Sequence, residues 1–120
     1  HDMHTEEFFL SDESATMINH THKQRKRVMA IGTTTVRVLE SCADEVGLVR
    51  PQDGETDIFL HPPYRPRAVD ILLTNFHLPK STLLMLVSTF ASREAVLTAY
   101  ELAKREKLRF YSYGDCMLIV

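Results

Sequence analysis

The chain has 120 residues, of which 44% are hydrophobic and 25% charged, with a formal net charge of -2. These are ordinary globular values: they argue against disorder and suit one domain, or part of one, with a modest core. They also exclude a global electrostatic pull toward nucleic acid, so any such contact has to come from a local basic patch.

The first segment, His4 to Leu10, reads as a short strand with Phe8 and Leu10 on one face. Ser11 or Asp12 can cap a helix running to about Gln24, with Ala15, Ile18 and Met17 on its buried side. Val28 to Ile31 is a second short apolar run, followed by Gly32-Thr33-Thr34-Thr35 and a helical pattern from Val36 to about Val46, with Gly47 placed to stop it. Leu48 to Thr56 carries Pro51 and an Asp53-Gly54 pair and reads as an exposed loop, with Asp57 to Leu60 as the next strand. Pro62, Pro63 and Pro66 exclude a helix there. Val69 to Leu73 reads as a buried strand, and Leu83 to Val87 as part of a helix beginning near Lys80. Ser92 can cap a last helix to about Lys107, with Ala95, Val96, Ala99, Leu102 and Ala103 as its apolar side. Leu108 to Tyr113 reads as a final inner strand, before the apolar tail Cys116 to Val120. Strands alternating with helices predict an α/β fold with a mainly parallel or mixed sheet flanked by helices. The segment from Asp57 to Val69, which reads as a hairpin or meander, is the expected source of any mixing.

Cys42 and Cys116 lack CxxC spacing, which argues against a disulfide framework or a zinc site and suits a reducing cytoplasm. No signal-peptide pattern is present, and Leu83–Val87 is too short to span a bilayer. The chain opens at His1 without an initiator Met, which reads as a fragment whose upstream portion is missing.

The richest stretch is Thr74-Asn75-Phe76-His77-Leu78-Pro79-Lys80-Ser81-Thr82. It gathers an amide, an imidazole, an ammonium and hydroxyls at a strand's carboxyl end, where α/β folds bind ligands on free N–H groups and the helix dipole. Its bland reading is a capped helix start with Lys80 in solvent; the placement favours a functional one. His77 titrates near neutrality and suits acid–base work. Gly32-Thr33-Thr34-Thr35 with Arg37 repeats the pattern, against an equally weighted alternative in which Arg37 pairs with Glu40 or Asp44. These two turns are expected to converge on one negatively charged reactant. His4 and Glu6 would share a strand face while His1 points away, and His20 and His22 diverge on a helix, so metal binding is rejected at both. Lys23 to Arg27 is the densest basic run; cations at a helix C-terminus suffice to explain it, with nucleic-acid phosphate as the alternative.

Four motifs occur in order: His1-x-Met3-His4-x-Glu6; Gly32-Thr33-Thr34-x-x-Arg37-x-Leu39-Glu40-Ser41; Thr74 through Ser88; and Tyr111-Ser112-Tyr113-Gly114-Asp115-x-Met117-Leu118-Ile119. Together they resemble the C-terminal portion of the bacterial S-adenosylmethionine:tRNA ribosyltransferase-isomerases of queuosine biosynthesis, over almost the whole chain. Two departures are visible: Pro63 stands where that family usually has Gly before Tyr64, and the link before Arg27 lacks its usual glycine.

The resemblance implies that residues 1–120 are the C-terminal part of a catalytic α/β domain in a larger multidomain cytoplasmic enzyme. It implies transfer and isomerisation of the ribosyl group of S-adenosylmethionine onto 7-aminomethyl-7-deazaguanine at the wobble position of tRNA with a GUN anticodon, giving epoxyqueuosine. Adenosylmethionine would be consumed as a co-substrate, with no other cofactor and no metal. On this basis Lys80, Ser81 and Thr82 would hold an anion, a methionine carboxylate or a tRNA phosphate. Gly32, Thr33, Thr34 and Arg37 would form a second binding turn. His77, or His4 with Glu6, would move protons, and Asn75 or Asp115 would orient the sugar or an amine. The chain alone is expected to be inactive and to self-associate, with no membrane association. A non-catalytic tRNA-binding module using Lys23–Arg27 is the alternative from a different class; a small-molecule phosphotransfer enzyme ranks last because the lysine-bearing glycine loop is missing.

Overall fold

The computed structural model describes residues 4–77, 81–109 and 115–120. In chain order the elements are β1 (Glu6–Leu10), α1 (Asp12–Lys23), β2 (Met29–Ile31), α2 (Thr33–Cys42), β3 (Gln52–Thr56), β4 (Ile71–Asn75), α3 (Thr82–Val87), α4 (Arg93–Arg105) and β5 (Cys116–Ile119). The fold is α/β with a mixed sheet. β2 and β4 run parallel, and β5 joins the other edge of β4 antiparallel, giving the order β2-β4-β5. β1 and β3 form a separate antiparallel ribbon.

Local chemistry sets the helix starts. Ser11, Ser81 and Ser92 each sit extended at an N-cap, their hydroxyls accepting from the N–H groups of Ser14, Leu84 and Ala95. Each such cap is worth about 1 kcal/mol relative to Ala. α2 differs: its N-cap is Gly32 at φ 92, with no side-chain cap. It also starts three residues before, and ends four residues before, the pattern read from sequence. The end comes early because Asp44 folds the chain back, its carboxylate accepting from the N–H groups of Val46 and Leu48 while Ala43 bridges to Val49. Gly47 then occupies φ 88 inside that turn, with Arg67 O so close that a Cβ could not fit.

Two strand expectations are overturned. The Asp53-Gly54 pair lies inside β3, opposite Phe9 and Phe8, whereas Asp57 to Leu60 is not a strand. β3, exposed and polar, has no alternating apolar pattern to announce it, and its partner β1 lies over forty residues away. The mixing of the larger sheet comes from β5 and not from the 57–69 segment, which forms a turn containing the cis Pro62–Pro63 bond. Leu108 and Arg109 are not strand, and the rest of the predicted inner strand lies outside the described residues. On α4 the buried face is Val96, Tyr100 and Ala103, a stripe that leaves Leu102 half exposed, and Met17 of α1 is also exposed.

The core lies on one side of the three-stranded sheet. Ala30, Leu72 and Thr74 point into it, against Val36 and Leu39 of α2 and Leu84, Leu86 and Val87 of α3. Burying a side chain such as Leu72 contributes roughly 1.5–3 kcal/mol. Residues opposed across paired strands share a face, so Ile31, Leu73 and Leu118 make one row on the other side, with Met29 and Ile71 alongside. That side is open, with Ile31 at 66% and Leu118 at 57% exposure.

Arg25 takes φ 60 in the link between α1 and β2. This left-handed conformation is the one a glycine would adopt without strain.

Candidate active site at the strand ends

Because β2 and β4 are parallel, their carboxyl ends lie side by side. The Gly32 N–H donates to Leu73 O at 2.8 Å, so the turn into α2 begins beside the residues that leave β4. The φ of Gly32 is strained for any L side chain, and a Cβ there would meet open space. The first turn of α2 carries no acidic residue and no side-chain cap, which leaves its N–H groups available to an anion. The first turns of α2 and α3 open onto one cleft of about 280 Å³, lined by His4, Glu6, Thr33, Thr34, Arg37, Thr82 and Leu83.

Arg37, only 3% exposed, is not free to meet a ligand anion. Its Nε donates to Ile58 O at 3.2 Å, and its Nη2 donates to His4 O at 2.8 Å and Thr56 O at 3.5 Å. Its Nη1 stands 3.4 Å from Glu6 Oε2. The sequence reading that paired it with Glu40 or Asp44 is therefore corrected. Asp44 caps the Val46–Leu48 turn, while the Glu40 carboxylate is taken up by Tyr64 and the backbone of residues 67–69.

Glu40, 4% exposed, is the buried acid that sequence reasoning missed as a structural centre. Oε1 accepts from Tyr64 Oη at 2.6 Å and Arg67 N at 2.7 Å, and Oε2 from Ala68 N at 2.8 Å and Val69 N at 3.0 Å. Burial, and then the Glu40 carboxylate, push the Tyr64 hydroxyl far above the ordinary phenol range. The only signal in the sequence was that Glu40 lies four residues after Val36, on the same face of a helix.

His77, Asn75 and Asp115 do not line the cleft: His77 follows the end of β4, and Asn75, the last residue of β4, contacts Asp115. His77 Nε2 lies 3.0 Å from Thr74 Oγ1, and its backbone N–H donates to Tyr100 Oη at 2.7 Å. Tyr100, itself buried, is fixed by an edge-on contact with Phe76. Burial pulls the His77 imidazole below its ordinary range and favours the neutral ring. Asn75 Nδ2 donates to Asp115 O at 3.1 Å, tying β4 to the start of β5. The backbone N–H of Arg109, and then its guanidinium, hold the Asp115 carboxyl below the usual carboxylate range. Ser81 serves as the cap of α3, and Lys80 lies outside the described residues. A larger groove of about 560 Å³, between α1 and the Val46–Leu48 turn, shares no residue with the cleft.

A mixed α/β sheet with a polar cleft at its strand ends defines the class: an α/β protein with its cleft at the carboxyl edge, where such folds commonly place ligands. The particular family follows from comparison. The profile of the family described as "Queuosine biosynthesis protein" matches residues 1–119, and the chain belongs to that family. It is 54% identical over 120 residues to the S-adenosylmethionine:tRNA ribosyltransferase-isomerase of Carboxydothermus hydrogenoformans, covering 100% of this chain and 35% of that protein. The protein of the same name from Acetivibrio thermocellus is 51% identical over 119 residues, covering 99% of this chain and 35% of the relative. Among solved structures, S-adenosylmethionine tRNA ribosyltransferase from Thermotoga maritima superposes with a TM-score of 0.83 at 42% identity, over 95% of this chain and 40% of that one. The chain thus spans about a third of the length of the curated relatives, covering 35% of each.

Proposed function

We propose that this chain forms part of an enzyme that transfers and isomerises the ribosyl group of S-adenosylmethionine onto 7-aminomethyl-7-deazaguanine at the wobble position of tRNA with a GUN anticodon. The product is epoxyqueuosine, and adenine and methionine leave. The observation that carries this reading is the single cleft shared by the first turns of α2 and α3, in a chain whose relatives bear that name. Thr33 and Thr34 offer hydroxyls beside the free N–H groups at the start of α2, and Thr82 faces them from α3. With Lys80 and Ser81 they hold an anionic group, the methionine carboxylate or a tRNA phosphate.

The reaction needs a base for the proton on the carbon beside the sulfonium. His77, biased toward the neutral ring by burial and anchored through Thr74 and Tyr100, serves as that base for a reactant that extends from the cleft past the end of β4. Asn75 and Asp115 act behind it by fixing the end of β4 against β5. The reaction takes place in the cytoplasm. The chain by itself is inactive, because this cleft needs walls from the remaining two thirds of the protein, and it self-associates through its open sheet face.

The test uses the full-length protein. His77→Ala should lower the single-turnover rate by a hundredfold or more, on the order of what general bases contribute. Lys80→Ala should weaken binding of adenosylmethionine or tRNA. An unchanged rate for the first, and unchanged affinity for both ligands in the second, would overturn these roles. Turnover by the isolated chain would refute its predicted inactivity.

A further inference from the structure

The cleft carries a charge asymmetry that an anion alone does not explain. Its one described cation, Arg37, is spent: three of its contacts go to backbone carbonyls and the fourth to Glu6. Glu6 is left with more acceptor capacity than donors. Its Oε2 is shielded from solvent and has no hydrogen-bond partner among the described residues, standing 3.4 Å from Arg37 Nη1 in an ion pair without hydrogen-bond geometry. Yet the side chain as a whole keeps 35% exposure and lines the cleft. The two oxygens of a carboxylate lie on opposite sides of Cδ. With Oε2 shielded beside the guanidinium, the 35% exposure of the side chain is carried by its other atoms.

Among the described residues no donor from the cleft reaches this carboxylate. We infer that Glu6 is a binding residue for a primary ammonium group, with Arg37 as the residue that positions its carboxylate. Three features select an ammonium over a neutral hydroxyl. The acceptor is charged, and charge-assisted hydrogen bonds are about twice as strong as neutral ones. The neighbouring hydroxyls of Thr33, Thr34 and Thr82 supply further acceptors for the other two N–H bonds. The Arg37 guanidinium stands against Oε2 and makes no hydrogen bond to Oε1 among the described residues.

The inference rests on the ribosyl-transfer reading, which offers two sources of a primary amine: the α-amino group of adenosylmethionine and the aminomethyl group of the tRNA base. The two are separated by experiment. In the full-length protein, dissociation constants are measured for adenosylmethionine and its des-amino analogue. The same is done for anticodon stem-loops carrying an aminomethyl or a hydroxymethyl substituent on the base. Glu6→Gln should weaken one amine-bearing ligand by roughly 10- to 100-fold, the loss of one charge-assisted hydrogen bond. Its amine-free counterpart should bind wild type and variant alike, and the pair that responds identifies the source. Glu6→Asp keeps the charge but retracts it, and should give a smaller shift of the same selectivity; it carries the test if Glu6→Gln does not fold. Equal weakening of an amine and its analogue, or no weakening of either amine, overturns the inference while ribosyl transfer stands. A wild-type protein that binds neither adenosylmethionine nor the RNA refutes the transfer reading, and the inference with it.

Discussion

Replacing Glu40 by Gln is the most discriminating perturbation of the scaffold behind the cleft. The carboxylate accepts four hydrogen bonds, one from Tyr64 Oη and three from consecutive backbone N–H groups at 67, 68 and 69. Glutamine preserves the shape but turns one oxygen into an NH2 donor: toward Tyr64, whose hydroxyl can turn to accept, one backbone N–H is left facing a donor, and in the flipped orientation two are. Each hydrogen bond to a charged group contributes about 1.5–3 kcal/mol, so losing one or two costs roughly 1.5–6 kcal/mol. That is a large share of a stability of about 5–15 kcal/mol. Tyr64→Phe removes one donor and leaves the three amides satisfied, so it should cost only about 1.5–3 kcal/mol. Denaturant unfolding of the two single variants and the double variant measures the coupling, which should exceed about 1 kcal/mol because the groups touch. If Glu40→Gln lowers stability by less than about 1 kcal/mol, the account of Glu40 as the anchor of residues 64–69 is wrong.

Three further outcomes are expected. Arg25→Gly relieves the positive φ at the end of α1 and should raise stability by up to about 1 kcal/mol, read as a higher thermal midpoint; an unchanged or lower midpoint would show that the strain is absent. The lowered His77 pKa means that the unfolded chain binds the proton more readily. Its contribution is fully present above the ordinary value of 6.5 and is lost as pH falls from there toward the lowered folded value. Stability curves of wild type and His77→Gln should therefore diverge below pH 6.5, and an NMR titration midpoint at or above 6.5 would contradict the burial argument. Thiol labelling should modify exposed Cys116 promptly and Cys42 only on unfolding, since Cys42 is buried and burial raises its pKa; equal rates would be inconsistent with the packing.

Features fixed by neighbours in sequence were legible before any coordinates. The serine caps at Ser11 and Ser92 and the Gly32 entry into a helix depend on contacts within a few residues, and the strand through Leu72 showed in its own apolar run. The chemistry of Thr74 to Thr82 was legible for the same reason. What failed was decided at a distance. β3 is a strand only because β1 pairs with it, and its exposed Gly54 looked like a turn. The partners of Arg37 come from residues 4, 6, 56 and 58, and those of Glu40 from 64 to 69, so neither could be assigned from helical spacing. The division of the candidate residues into a cleft and a separate His77 cluster was equally invisible, because it depends on where β5 and α4 pack against β4.

The contacts of Arg37 join the two sheets into one cooperative unit. All four of its partners lie in or beside the β1–β3 ribbon, while the guanidinium belongs to α2 under the other sheet. Detaching the ribbon would strip a buried cation of every acceptor at once, which makes a partly open state steeply unfavourable. Amide protons of the ribbon and of α2 should therefore exchange with solvent through one shared opening, even though the ribbon is exposed along most of its length.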